Sequence, residues 1–288
     1  MRSREKTIAE DRRIAKRLLE AFGDVPLSEM TASRISACKA VRLASKHPGT
    51  GEPLTASAVN RPLGFLRAVL GMAHSEWEVL PAVPKVKLET EPEGRIRWLE
   101  ADEEPRLLEA CRRSNLSHLE GFTVCAMETG MRLGELMGLT WDRVDFSRAV
   151  VRLEVTKSGR RREVPMRTRV YEVLSGLAAQ PRQADGYVWP RTSTRKAFRR
   201  AVRAARIEDF HFHDTRHHFA SWFMMRGGTL LTLSKILGHA AIAMTMRYAH
   251  LSPEHLRGEM ERTDAASRAE IGQMNPAPRH EVPENTAK

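Results

Sequence analysis

The chain has 288 residues, with 47 lysines and arginines against 36 aspartates and glutamates, for a net charge of +11. That length has room for two modest domains, each with a core of its own, and the positive excess favours a polyanionic partner. No apolar run approaches the ~18 residues that span a bilayer, and the charged start MRSREKTIAEDRR lacks the apolar centre of a secretory signal, so a cytoplasmic protein is expected.

The charge is unevenly spread. Residues 1–88 carry 15 basic and 9 acidic side chains, residues 89–128 carry 5 and 10, and residues 129–260 carry 23 and 12. Two basic blocks separated by an acidic stretch predict two modules that face nucleic acid across a solvated joint. Cys38, Cys111 and Cys125 are widely spaced, odd in number and set in apolar helical contexts, which reads as buried free thiols in a reducing compartment.

In chain order, Ile8, Ile14, Ala15, Leu18, Leu19 and Phe22 fall roughly on one helical face, with Gly23 as a stop. A second helix is predicted from Thr31, burying Ile35, Cys38, Val41 and Leu43 before His47-Pro48-Gly49 breaks it. A third runs from about Thr55 to Trp77 on Val59, Leu63, Leu66, Val69, Leu70 and Ala73, with Pro62 near its first turns, where proline is better tolerated. Pro81, Pro84, Pro92 and Gly94 punctuate alternating charges over 81–97 and read as a connection. Helices follow at about 102–113 and 117–129. A hairpin then pairs 149–155 with 162–166 across a turn at Gly159. The rest is helical with short breaks to about residue 262, and the proline-bearing tail has few apolar residues and reads as partly disordered. The expected division is 1–88, a linker at 89–97, a second domain at 98–262 and a tail at 263–288. The expected class is mainly α with a small β-hairpin or sheet.

Five features in the second block carry chemistry: Arg132 in Thr129-Gly130-Met131-Arg132-Leu133-Gly134-Glu135-Leu136, Lys157 at the hairpin tip, the cluster His211-Phe212-His213-Asp214-Thr215-Arg216-His217-His218, His239 after the helix-ending Gly238, and Tyr248 in Arg247-Tyr248-Ala249-His250. Singly, each has an ordinary explanation. Arg132 can pair with Glu128 or Glu135 on a helix. A turn lysine is usually solvated, and a lone tyrosine usually belongs to a core or its rim. His213 and His217 stand four apart and could share a metal, but no HExxH accompanies them.

Their order and spacing together change the reading. TGMRLGEL, the TKSG turn, HDTRHHFAS and LGHAAIAMTMRYAHL strongly resemble the catalytic domain of tyrosine recombinases, the phage-integrase family, over about residues 98–256. The helical first block more loosely resembles that family's core-binding domain. The resemblance implies two phosphate-clamping arginines, Arg132 and Arg216, with Glu135 bracing the first. It makes Lys157 the hairpin-tip lysine, His213 the first histidine, His239 the occupant of the histidine-or-tryptophan position, and Tyr248 the nucleophile. It implies a site-specific recombinase acting on duplex DNA through a 3′-phosphotyrosyl link, in integration or excision of a mobile element. It also implies a tetramer of C-shaped clamps on DNA, a segment from Ser252 to about Arg268 docked on a neighbour, and accessory DNA-bending or directionality proteins. The protein would associate with the nucleoid when on DNA.

The chemistry of the set is coherent without the family. Attack on a phosphodiester builds negative charge on non-bridging oxygens, which two guanidiniums can hold through forked hydrogen bonds, with a histidine donor adding to the same field. A lysine among arginines can release a proton to the leaving 5′-oxygen. A phenol with a pKa of about 10 needs surrounding cations or a base, for which His213 is the candidate. Because the phosphotyrosine stores the bond energy, neither metal nor nucleotide cofactor is expected. Two-metal chemistry would need several converging carboxylates, and only Glu135 and Asp214 lie nearby in sequence.

The chain departs from the family's pattern at Thr215, where leucine is usual, and at His218, where threonine or serine is common; altered packing is expected there. The first helix resembles the family's second conserved segment, so the leading segment is expected to be short or missing, with no separate arm-site-binding domain before it; either this is a minimal recombinase or the sequence begins at an internal start codon. The competing readings are a DNA-binding regulator or inactive mobile-element remnant on the same fold, and a histidine-metal hydrolase.

Overall fold

The computed structural model describes residues 2–92, 94–154, 161–181, 184–191 and 194–252, with side chains from Ile8 onward. Lys157 with the hairpin tip, the segment following Ser252 and the tail expected at 263–288 lie outside the described residues. The chain divides into two compact units, Met1–Arg95 and Ile96–Lys288.

The first unit contains α1 (Arg2–Phe22), α2 (Ala32–Ala44) and α3 (Ala56–Ser75). α1 buries Ile14 and Leu18, with Phe22 half-buried, a strict i, i+4, i+8 stripe laid on α3. Ile8 and Leu19, expected on that face, are 45 % and 63 % exposed. Leu19 is rotated about 100° from Leu18, and a single partner helix covers only a narrow stripe. α2 is capped by Thr31, whose hydroxyl accepts from the Arg34 N–H, and it buries Ile35 alone. Cys38 is only half-buried, and Val41 and Leu43 are exposed, against expectation for all three.

α3 is capped by Thr55 and buries Val59, Leu63, Leu66, Leu70 and Ala73. Pro62 is the seventh residue of this helix, beyond the first turn in which a proline is harmless. Its missing N–H leaves the Ala58 carbonyl without a helical partner, and Arg42 of α2 supplies one from Nη2 at 3.2 Å. Glu89, where the expected linker starts, is fastened to this unit. Its N–H donates to Asn60 Oδ1 at 2.8 Å, and its carboxylate accepts from Lys39 Nζ at 2.6 Å.

The second unit runs α4 (Glu103–Arg112), α5 (Leu119–Thr129), α6 (Leu133–Met137), β1 (Val144–Asp145), β2 (Val150–Leu153), β3 (Arg162–Pro165), α7 (Thr168–Ala178), α8 (Thr194–Ala204), α9 (Asp214–Met225), α10 (Leu230–Leu237), α11 (Ala243–Met246) and a 3-10 turn at Ala249–Leu251. α5 is apolar nearly all round and accordingly central, packing against α4, α7, α8 and α9. Phe122, Trp189 and Phe198 are the largest of its core's fully buried side chains, and Cys111 and Cys125 are buried free thiols.

The expected hairpin is present, pairing Val151 with Val164 and Leu153 with Arg162. A short strand that the sequence reading missed, β1, joins it through Val144 opposite Val151, making an antiparallel sheet of order β1-β2-β3. The class is therefore α with a small sheet, as expected. Among the described residues no helix is long and apolar enough to cross a membrane.

Candidate active site

Arg132 stands at the start of α6, just past the glycine that ends α5. Glu135, three residues on, turns back to it: Oε2 accepts from the Arg132 backbone N–H at 2.9 Å and Oε1 from Arg132 Nη1 at 3.0 Å. Glu128, the other partner considered, is occupied instead by Arg167 and Arg169 at 3.1 and 2.9 Å. Glu135 is also gripped from β3 by Arg162, with Nη1 to Oε1 at 3.0 Å and Nη2 to Oε2 at 2.7 Å. Burial works to raise the Glu135 pKa, but the Arg162 fork and the Arg132 N–H outweigh it and hold the carboxyl below its ordinary range.

Arg216 is the third residue of α9, in its first turn, and is 4 % exposed. Its Nη1 donates to the Gly130 carbonyl and its Nη2 to the Leu237 carbonyl, both at 2.8 Å. These carbonyls belong to the ends of α5 and α10, where helical N–H partners run out and the helix dipole is negative. Both helices end in left-handed glycines, Gly130 at φ 61° and Gly238 at φ 66°. Side chains there would be strained and also crowded. A Cβ on Gly130 would meet Phe219 and Leu237 at 2.7 Å, and one on Gly238 would meet Arg162 at 2.9 Å. Burial, then the Arg132 and Arg162 cations, push the Arg216 pKa down to about 9, so it remains charged at neutral pH. Two of its five N–H donors face carbonyls, which leaves others for a phosphate.

His239 follows Gly238 and is held by Nδ1 against the Thr245 hydroxyl at 2.8 Å. Burial and the cations Arg216, Arg132 and Arg162 lower its pKa to about 4. Tyr248 follows α11 and is 2 % exposed, packed with Phe219, Leu233 and Leu237. Burial raises its pKa, with Arg247 and Arg216 pulling the other way. Its hydroxyl is 2.6 Å from Nδ1 of His217. The sequence reading assigned a base to His213, but the histidine against the phenol is His217. Burial and the neighbouring His213 lower the His217 pKa to about 4, so the ring is neutral, and in the tautomer protonated on Nε2 its Nδ1 accepts the phenolic O–H. His213 stands at the surface end of α9, its ring edge-on to His217 at 5.4 Å; partial burial and Arg216 lower its pKa.

Arg132, Glu135, Arg216, His239 and Tyr248, some 116 residues apart in sequence, are thus brought together with His213 alongside; Lys157 lies outside the described residues. Sequence reasoning missed two participants. His217 was considered only as a metal partner of His213, and Arg162 was one of three consecutive arginines with nothing to single it out. The two departures are accommodated locally. Thr215 donates its hydroxyl to the Phe212 carbonyl at 2.8 Å, and His218 Nδ1 accepts the Leu99 N–H at 3.2 Å. Among the described residues no three histidine, cysteine, aspartate or glutamate side chains converge as a metal-binding group would require.

Residues 97–255 match the model of the phage integrase family. The chain is 33 % identical over 260 residues to the shufflon-specific DNA recombinase of Escherichia coli, covering 88 % of this chain and 66 % of that protein. It is 30 % identical over 268 residues to the integrase of Salmonella phage P22, covering 86 % and 68 %. It therefore spans about two thirds of the length of these relatives. A solved structure of the Tn1549 transposon integrase in complex with a circular-intermediate DNA shares the fold, with a TM-score of 0.70, 22 % identity, and coverage of 90 % of this chain and 93 % of that one. A family match over more than half its residues, joined to the P22 relative, establishes that this chain belongs to the phage integrase family of tyrosine recombinases.

Proposed function

We propose that this protein cleaves and rejoins duplex DNA at specific sites, with Tyr248 as nucleophile, in the integration or excision of a mobile element. The observation that carries the reading is the convergence on one spot of a buried phenol, Arg216 anchored on two helix-end carbonyls, Arg132 braced by Glu135, and a histidine. Uncovered from its pocket, the phenol passes its proton to His217 Nδ1 as its oxygen attacks phosphorus. Arg132 and Arg216 take the charge that develops on the non-bridging oxygens, with His213 and His239 as further donors. The bond to the 5′-oxygen breaks, that oxygen takes a proton from Lys157, and the 3′-phosphate remains on Tyr248. Attack by a 5′-hydroxyl of another strand reverses each step and restores the phenol.

The basic surfaces extend the reading to duplex DNA. Arg195, Lys196, Arg199, Arg200 and Arg203 are exposed along α8, and the charge of Arg195 reaches His213. Arg12, Arg13, Lys16 and Arg17 are exposed on α1, so the first unit, expected at 1–88, serves as a second DNA-binding module. On DNA the protein works as a tetramer with accessory bending proteins, bound to the nucleoid in the cytoplasm. The test is covalent trapping on a nicked duplex carrying the cognate site. The wild-type protein forms a protein–DNA adduct in excess EDTA without nucleotide, and Tyr248→Phe binds the same duplex but forms none. Adduct formation by Tyr248→Phe, or strict dependence of the wild type on added metal, sinks the reading.

A further inference from the structure

Arg162 follows Arg160 and Arg161 and opens β3, opposite Leu153 of β2. Its side chain is 6 % exposed, and all three of its guanidinium nitrogens are engaged. Nη1 and Nη2 fork onto Glu135 at 3.0 and 2.7 Å, and Nε donates to the Ile236 carbonyl at 2.8 Å. A guanidinium so placed has little left to offer a phosphate.

We propose that Arg162 is a positioning residue for strand cleavage, holding Arg132 through Glu135 and holding His239 and the Leu237 anchor of Arg216 through the last turn of α10. The proposal rests on the reading of Arg132 and Arg216 as the phosphate clamp. Glu135 receives four hydrogen bonds, two from Arg132 and two from Arg162. With Arg162 gone, the carboxylate keeps only the residue it is meant to brace, and the pair can swing together. At the other end, Ile236 and Leu237 present consecutive carbonyls of a terminating helix, and Arg162 takes the first while Arg216 takes the second. Gly238 lets this happen, because a Cβ there would stand 2.9 Å from both Cδ and Nη1 of Arg162. One strand residue therefore sets the spacing between α6, which carries Arg132, and the loop that carries His239. Lysine has the charge but not the planar fork, so it cannot make these three directed bonds at once.

The test uses full-length Arg162→Ala, Arg162→Lys, Arg132→Ala and the Arg162→Ala/Arg132→Ala double variant on the nicked duplex, with adduct formation, DNA affinity and melting temperature read together. Arg162→Ala should cleave about 10²-fold more slowly at saturating DNA, the scale expected of a misplacement near 1 Å, while its affinity changes less than about twofold. The double variant should be no slower than Arg132→Ala, because the two residues act through one contact. On a duplex whose scissile phosphate is a methylphosphonate, lacking one charged oxygen, the deficits of Arg162→Ala and Arg132→Ala should shrink together. Arg162→Lys should recover little. Should Arg162→Ala fail to fold, Glu135→Gln keeps the shape, weakens the fork, and must show the same deficit and the same lack of additivity with Arg132→Ala. Multiplying deficits, wild-type cleavage by folded Arg162→Ala, or a loss confined to DNA affinity each overturn the proposal. Tyr248→Phe run alongside separates the two readings. Adduct persisting there removes the nucleophile assignment, whereas adduct lost there but undiminished in Arg162→Ala removes only the positioning role.

Discussion

Removing the Tyr248 hydroxyl should destabilise the protein as well as silence it. Tyr248 is 2 % exposed and His217 8 % exposed, and the 2.6 Å bond between them is the contact Nδ1 of His217 makes. Tyr248→Phe keeps the ring and its packing against Phe219 and Leu237, so no cavity opens. What changes is that a buried imidazole nitrogen loses its donor, which costs about 1–3 kcal/mol. The transition belongs to a unit of Ile96–Lys288, so a loss of about 2 kcal/mol lowers its melting temperature by roughly 4–8 °C. Circular dichroism melts at pH 7.5, where His217 is neutral, read this directly. Replacing both partners, in His217→Leu/Tyr248→Phe, leaves no orphaned nitrogen and should recover part of the loss, giving a coupling energy of about 1 kcal/mol or more. A Tyr248→Phe protein as stable as the wild type, or more stable, would refute the buried bond. Destabilisation that simply adds in the double variant would show that the two side chains act independently.

Three further outcomes are expected. His217 and His218 have pKa values near 4 against an ordinary 6.5, chiefly through burial, so the fold holds them neutral while the unfolded chain protonates them. Their contribution is complete above about pH 6.5 and is lost as pH falls toward 4, with a slope of up to about 1.4 kcal/mol per pH unit for each; urea midpoints flat between pH 7 and 4.5 would contradict this. Gly238→Ala should cost roughly 1–2 kcal/mol for its left-handed backbone, and more for displacing Arg162, and should slow adduct formation as Arg162→Ala does; a wild-type melting temperature would contradict it. Lys157→Ala should slow cleavage by about 10² to 10⁴ on ordinary DNA but be rescued by a 5′-bridging sulfur, which leaves without a proton, whereas Arg132→Ala should stay slow; failure of the sulfur rescue would move the proton donor elsewhere.

Much of the site was legible in the chain because its parts sit in local contexts with strong rules. Gly130 and Gly238 end helices, Thr31 and Thr55 begin them, and the alternation of Val150–Leu153 against Arg162–Pro165 makes a hairpin. Arg132 and His239 each follow such a mark, Arg216 and Tyr248 do not, and it is the resemblance of their order and spacing to the tyrosine-recombinase pattern that groups the four. Helix faces were read less well. Ile8, Leu19, Val41 and Leu43 are as apolar as Ile14 and Ile35, and only the number of neighbouring helices decides which are covered.

By itself, then, the sequence determined residue types, helix ends and turns, which are local properties of the chain, and the resemblance of its motifs implied that the cations would gather round one tyrosine. Tertiary structure decided which neighbour each charge meets. Arg162 rather than its neighbour Arg161 reaches Glu135 because β3 pairs it with Leu153 and turns it toward α6 and α10. His217 rather than His213 meets the phenol because Tyr248 packs among Phe219, Leu233 and Leu237 beneath α9, on the side to which His217 points. Hydrogen bonds demand partners within about 3 Å and the right direction, and residues dozens of positions apart acquire those only when the helices between them have packed.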